Sequence, residues 1–187
     1  TSSSGHDSAN DVFEGYIAKS VCEALTAAVF LERYPKCKIS LEVTVMSAEG
    51  GEVPMAITAA SLALAAAGIA MRDLVVGCTA LHSASKESFL MDPTSNELRA
   101  ADAAPLSMAL MTASGRITFC DYQGDREGAI VKNLAHIAHE GCSFVHSVVA
   151  AELRSYAAKL SPELEDDEER IIFKKPGSVR VPSAKAT

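Results

Sequence analysis

The sequence has no tryptophan, and aromatic residues account for only 5% of its 187 residues. The core is therefore expected to consist mostly of Ala, Val, Leu and Ile, and a function based on stacking bases on aromatic side chains is disfavoured. Positive charge is also scarce, with 17 Lys and Arg against 24 Asp and Glu and a formal net charge of −7. That balance argues against autonomous nucleic-acid binding, which needs clustered cations, but it is compatible with an acidic subunit of a larger RNA-handling assembly.

Paired cysteines and targeting signals are missing as well. The five cysteines lie at positions 22, 37, 78, 120 and 142 without a CxxC motif, which is typical of a reducing compartment. No basic region followed by a short apolar core opens the sequence, so we expect no secretory signal. An uncharged stretch at residues 53–71 could just span a bilayer, but it is rich in Ala and contains Pro54, and it predicts a buried helix instead.

The hydrophobic fraction of 48% is enough for one globular domain, and the pattern predicts three parts. Residues 1–10 are small and polar and predict a flexible leader, after which a helix begins at Asn10 or Asp11 and stops at Tyr34-Pro35. Residues 11–160 are expected to form the domain. Residues 161–187 lose the apolar period and combine an acidic run with a basic one, which predicts a disordered tail.

Strand and helix periods alternate within the domain. Residues 37–47, CKISLEVTVMS, alternate apolar and polar side chains and predict a strand, and an Ala-rich helix follows with Pro54 in its first turn and Gly68 at its end. The remaining predicted elements are a buried strand at 74–82, a short strand at 88–92, a hairpin of 106–111 and 117–122, and a long amphipathic helix at 126–160. This order predicts an α+β fold with helices packed on a mixed sheet.

Several segments resemble one family. The run GGEVPMAITAASLAL at residues 50–64, AGIAMRDLV at 67–75, the helix end LERYP at 31–35 and the tripeptide EGC at 140–142 are together similar to ribonuclease PH (RNase PH) and its relatives in the exosome. The resemblance covers about residues 12–156 and corresponds to the later part of the family's domain. We therefore expect the family's N-terminal strands to be absent, which would leave a sheet edge or one side of the core uncovered.

The resemblance implies where the family's phosphate site lies. Active members hold phosphate with Gly-Ser/Thr-Arg before the Ala-rich helix, and the matching positions here are Gly51, Glu52 and Val53. A carboxylate and an isopropyl group replace the hydroxyl and the guanidinium, so this site is expected not to bind phosphate. Alignment on the following proline places Ala103 where the family has a catalytic Asp. Asp102 is one residue away and would face the other side of a strand unless the register shifts.

The resemblance as a whole implies a non-catalytic ring subunit of the eukaryotic exosome, a class with a segment similar to residues 91–97. The implied role is rRNA processing and RNA degradation, with neither a cofactor nor a metal, in the nucleus, the nucleolus and the cytoplasm. Its implied partners are other RNase PH-like subunits and single-stranded RNA passing through the ring, with a homodimer in isolation and no membrane. Two alternatives stay open: an active phosphate-dependent 3′ to 5′ exoribonuclease, and a small α+β binding module unrelated to RNA.

Other side chains offer chemistry that the resemblance does not use. Single arginines at predicted turns, among them Arg72 and Arg99, are candidates for contacts with an RNA backbone. Four residues of the types that bind zinc share one side of the predicted long helix: His136, His139, Cys142 and His146. One helix seldom supplies four ligands, so half-buried and surface positions are expected. Cys78 and Cys120 fall in apolar strands and are expected to be buried, unreactive thiols.

Overall fold

A computed structural model describes residues 4–160 of the protein. Its helices are α1 (Ser4–Thr26), α2 (Glu52–Ala66), α3 (Ser95–Leu98) and α4 (Gly128–Leu160), with a 3-10 turn at Leu31–Arg33. Its strands are β1 (Val75–Ser83), β2 (Ser88–Met91), β3 (Ala103–Met111) and β4 (Arg116–Tyr122). One unit ends at Leu153 and contains these strands; a second begins at Arg154, and its described residues, 154–160, are helical. The predicted tail lies outside the described residues.

The strands form one sheet in the order β2-β1-β3-β4, and each pairing is antiparallel. The predicted α+β class is confirmed, but the sheet is not mixed. Tight turns join β1 to β2 and β3 to β4, and the short α3 joins β2 to β3, whereas parallel pairing needs a long crossover. Gly115 has a φ of 67° in the β3–β4 turn, as the predicted hairpin requires.

Helices cover both faces of this sheet. On one face, Ile57 of α2 packs in a core with Val75 of β1. On the other face, Leu134 of α4 shares a core with Val76 and Met108. All nine residues of β1 are buried because its side chains alternate between these two cores, which confirms the prediction from its continuous apolar run. Within residues 4–160, none of the helices combines the length and apolar character that crossing a bilayer requires.

A glycine lets α4 lie directly against β1. A Cβ at Gly141 would collide with the Sγ of Cys78 and lie 3.1 Å from its Cβ. The adjacent Cys142 is fully buried, and its thiol lies 3.7 Å from the Met108 carbonyl oxygen. Burial raises the pKa of Cys142 to about 12 and also raises the pKa of Cys78, so both thiols stay protonated at neutral pH. Cys142 is therefore a core residue, and the expectation of a half-buried or surface position is wrong for it.

Three further expectations are corrected by the structure. Helix α1 begins at Ser4, before the predicted start at Asn10 or Asp11, so residues 4–10 are helical. Residues 37–47 do not form a strand, since a strand needs a hydrogen-bonded neighbour and the described residues provide none for this segment. Leu41 and Val45 in it are 40% and 46% exposed. Cys120 is exposed rather than buried, because β4 is an edge strand.

Candidate functional site at the start of helix α2

Two glycines shape the start of α2. Gly50 and Gly51 have φ values of 110° and 68°, which other residues rarely adopt. A Cβ at Gly50 would lie 2.6 Å from the carbonyl oxygen of Pro93, so glycine is needed where this loop passes the segment before α3. Gly51 is the N-cap, and its carbonyl accepts the N–H of Met55 at 3.1 Å. The first N–H groups of α2 have no partner in the helical hydrogen-bond pattern, as at any helix start.

Glu52 places the chain's own negative charge at this helix start. One of its carboxylate oxygens accepts the N–H of Gly50 at 3.0 Å, and the helix dipole stabilises an anion in the first turn. Val53 is only 9% exposed and belongs to the apolar core beneath α2. The residues at the family's phosphate positions therefore lie side by side, but they present a carboxylate and a buried isopropyl group.

A pocket of about 220 Å³ lies beside Gly51, Glu52 and Val53. Its other walls include polar side chains that the sequence analysis did not identify as site residues: Tyr16, Thr79, Ser107, Asp121 and Gln123. Thr79, Ser107 and Asp121 are neighbours across β1, β3 and β4, and the Thr79 and Ser107 hydroxyls are 2.9 Å apart. The sequence carried a signal for this row, because a hydroxyl residue interrupts each of two apolar strands and must find a hydrogen-bond partner there.

The carboxylate of Asp121 is held by two donors. The Tyr16 hydroxyl donates to it at 2.7 Å and the Gln123 side-chain amide at 2.9 Å, which links α1 to β4. Partial burial, and next the hydrogen bond to Asp121, raise the pKa of Tyr16 to about 12, so this phenol remains a donor at neutral pH. Among the described residues that line the pocket, the charged ones are Glu52 and Asp121, and none is Lys or Arg. Such a site repels phosphate.

Asp102 and Ala103 lie at the start of β3 and do not line this pocket. The Asp102 carboxylate accepts the backbone N–H of Ser85 at 2.7 Å and the hydroxyl of Ser83 at 3.1 Å, in the turn between β1 and β2. Hydrogen bonds from Ser85, and then from Ser83, hold the pKa of Asp102 well below its usual range. The group is ionised at neutral pH and carries no proton to donate. That Ala103 occupies the family's catalytic position stays a prediction.

The two arginines proposed for RNA contacts lie outside the pocket. Arg72 follows α2 at its far end, with its guanidinium 4.4 Å from the Phe30 ring centroid and 3.3 Å from a Glu32 carboxylate oxygen. Arg99 is exposed at the end of α3, next to Leu98, which does line the pocket. The structure therefore separates Arg72 from the helix start and places Arg99 beside it.

The histidines of α4 do not converge with Cys142. His136 is exposed and lies 3.6 Å from Glu140 one turn further on, whereas Cys142 is buried against β3. Within the described part of the chain, no three His, Cys, Asp or Glu side chains are grouped as metal ligands would be. The side of α4 that carries Cys142 packs on the sheet, so the spacing between Cys142 and the histidines reflects helix packing.

Comparison with known proteins relates part of the chain to one protein family. Residues 2–70 match the RNase PH model described as "3' exoribonuclease family, domain 1". The chain is 38% identical over 130 residues to the protein named exosome complex component Rrp41 of Methanopyrus kandleri, covering 70% of this chain and 53% of that protein. It is 35% identical over 144 residues to exosome complex component MTR3 of Homo sapiens, covering 75% and 52%.

A solved structure supports the fold. The crystal structure of rice (Oryza sativa) Rrp46 superposes with a TM-score of 0.67 at 17% sequence identity, over 75% of this chain and 65% of the rice chain. The chain spans about half the length of the Methanopyrus kandleri and human proteins that it matches.

Proposed function

The chain carries an RNase PH domain and its homologues are named exosome components, and on that premise we propose that it is a ring subunit of an RNA exosome without phosphorolytic activity of its own. In this role it supports 3′ to 5′ RNA processing and degradation, including that of rRNA. Phosphorolysis needs an inorganic phosphate held against the terminal phosphodiester, so the proposal depends on whether the start of α2 can hold that anion.

The observation that carries the proposal is the position of the Glu52 carboxylate, hydrogen-bonded to the Gly50 N–H at the start of α2. A phosphate at 4 Å from it would meet a repulsion of about 1–4 kcal/mol for each unit charge, at effective dielectric constants between those of water and a protein surface. Val53 supplies no positive charge to offset this, and its side chain is buried. Asp121, the pocket's other carboxylate, adds to the repulsion.

An RNA-trimming assay tests this proposal. The full chain is incubated with 5′-labelled single-stranded RNA, with and without inorganic phosphate, and shortened RNA and released nucleoside diphosphates are measured. We expect neither product. The double variant Glu52→Ser with Val53→Arg restores the residue types of an active phosphate site. It should stay nearly inactive, because Ala103 provides no carboxylate and because position 53 packs in the core beneath α2. Phosphate-dependent trimming by the unmodified chain, abolished by Asp102→Asn, would reject the proposal in favour of an active exoribonuclease.

Assembly with other RNase PH-like subunits is the second part of the proposal. Large apolar side chains are exposed on two helices, with Val12 74% exposed on α1 and Phe144 68% exposed on α4. Met46, in the segment before α2, is 92% exposed. Apolar side chains exposed to this degree on several elements favour association, either with another RNase PH-like subunit or as a homodimer in isolation.

RNA and cellular location complete the proposal. Single-stranded RNA would pass through the assembled ring, with Arg72 and Arg99 among the contacts this chain contributes. Because the net charge is −7, most of the cations that line the RNA path must come from neighbouring subunits. The proposed locations are the nucleus, the nucleolus and the cytoplasm, where an exosome acts.

A further inference from the structure

A second cavity, of about 410 Å³, lies at the far end of α2. Its lining includes Phe30, Arg72, Asp73 and Arg116, together with residues 113–114 of the β3–β4 turn. Helix α2 has 15 residues, and at 1.5 Å per residue it separates this cavity from the pocket at Gly51 by roughly 22 Å. The two cavities are therefore distinct sites on opposite ends of one helix.

Backbone hydrogen bonds fix the loops that form this second cavity. The N–H of Phe30 donates to the carbonyl of Ala70 at 3.0 Å, and the N–H of Arg72 donates to the carbonyl of Ala28 at 2.7 Å. The Tyr34 hydroxyl accepts the N–H of Ala70 at 2.8 Å. The loop after α1 and the loop after α2 are thus held together, and Arg72 projects from a defined backbone position.

Two arginine guanidinium groups contact the Phe30 ring. The Arg72 guanidinium lies 4.4 Å from the ring centroid and that of Arg33 lies 4.9 Å from it, both within the range of cation–π contacts. Arg72 also pairs with Glu32 at 3.3 Å, which orients its planar group. Arg116 is exposed and approaches the cavity from the first residue of β4.

Asp73, the acidic residue that lines this cavity, accepts backbone hydrogen bonds with both carboxylate oxygens. One carboxylate oxygen of Asp73 accepts the N–H of Leu74 at 2.8 Å, and the other accepts the N–H of Ala113 at 2.7 Å. Its charge therefore stabilises the backbone on both sides of the cavity, whereas Arg72 and Arg116 each keep N–H groups available to a ligand. A guanidinium fork matches the geometry of two phosphate oxygens.

We propose that this cavity binds a phosphate group in the backbone of single-stranded RNA, with Arg72 and Arg116 as its ligands. Base stacking is not part of the site, because guanidinium groups already contact the Phe30 ring. The choice of RNA over an acidic peptide rests on the RNA-handling function proposed above. The site itself stands on the geometry alone: Arg72 projects from a loop held by backbone hydrogen bonds, and Arg116 lines the same cavity from the start of β4.

Salt-dependent RNA binding by the full chain tests the site. Fluorescence anisotropy with a labelled single-stranded oligoribonucleotide gives the affinity at several salt concentrations. A single strand contributes a slope of about 0.7 in log K against log salt for each phosphate contact, and the two arginines share one phosphate. The double variant Arg72→Gln with Arg116→Gln should therefore lower the slope by about 0.7. The control variant, Lys19→Gln with Lys132→Gln, removes the same charge from exposed positions on α1 and α4 and should leave the slope unchanged.

Several results would overturn the proposal. They are an absence of RNA binding by the unmodified chain at low salt, equal slopes for the arginine variant and the lysine control, or competition by a glutamate-rich peptide as effective as that by RNA. Arg116→Gln alone controls for a folding defect, since Arg116 is exposed, and it should still lower the slope, by at most about 0.7. A negative result in this RNA-binding experiment would not bear on assembly with other subunits or on the lack of phosphorolysis. The two proposals are therefore tested separately.

Discussion

The contact between Gly141 and Cys78 makes a strong prediction about stability. Alanine at position 141 would gain about 1 kcal/mol from helix propensity in α4. Its Cβ, however, would collide with the buried Sγ of Cys78 and lie 3.2 Å from the Sδ of Met91, and overpacking of this kind costs typically about 1–3 kcal/mol. The cysteine side chain is short and enclosed, so it cannot move aside cheaply. The net effect expected for Gly141→Ala is a loss of up to about 2 kcal/mol in the free energy of unfolding.

Urea unfolding checks this prediction, with the midpoint lowered and the slope with denaturant unchanged. Gly15→Ala is the matched control, since Gly15 lies inside α1 with open space around it and should gain roughly the full 1 kcal/mol of helix propensity. Combining Gly141→Ala with Cys78→Ala removes the colliding sulfur, so the double variant should be more stable than Gly141→Ala alone. If Gly141→Ala raised the midpoint as much as Gly15→Ala does, the close packing of α4 on β1 would be refuted.

Two titrations give further predictions. The pKa of Tyr16 is raised from about 10 to about 12, so its contribution to stability is complete below pH 10 and is lost as the pH rises toward 12. Tyr16→Phe should therefore reduce the loss of stability at alkaline pH. In a titration followed by absorbance at 295 nm, this variant should lack the phenol that ionises near pH 12. The pKa of Asp102 is depressed, so its contribution is present above the unfolded value of about 4 and is lost as the pH falls below it. Asp102→Asn should therefore lower the urea midpoint at pH 7 and weaken its decline in acid; an unchanged acid profile would contradict the hydrogen bonds to Ser83 and Ser85.

Local patterns predicted most of the fold. Gly68 has a φ of 72°, and the Ile69 N–H donates to the Leu64 carbonyl, so the helix end expected at Gly68 is a Schellman motif. The strand at 37–47 failed because alternation predicts an extended conformation but cannot supply a neighbouring strand. Helix α3 was missed although Thr94 and Glu97 have the spacing of a capping box, since the proline and polar residues around them also fit a turn.

The candidate site was only half predictable. Residues 51–53 are contiguous, so a single motif identified them and the helix start brought them together. Tyr16, Ser107 and Asp121 come from three separate elements and meet only through the antiparallel register of the sheet and the packing of α1 on β4. Likewise, the hydrogen bonds that hold Asp102 in the β1–β2 turn depend on how that turn closes. Distances along the sequence carry no information about either arrangement.

Association in solution shows whether the chain is a ring subunit that acts with RNase PH-like partners. Sedimentation velocity is measured on the full chain at micromolar concentration, alone and mixed with RNase PH-like exosome subunits. We expect a homodimer of the isolated chain or a stable complex with such a subunit, since a specific interface burying more than about 1,000 Å² should cover the exposed apolar side chains of α1 and α4. A stable monomer that fails to co-sediment with any RNase PH-like subunit would contradict it.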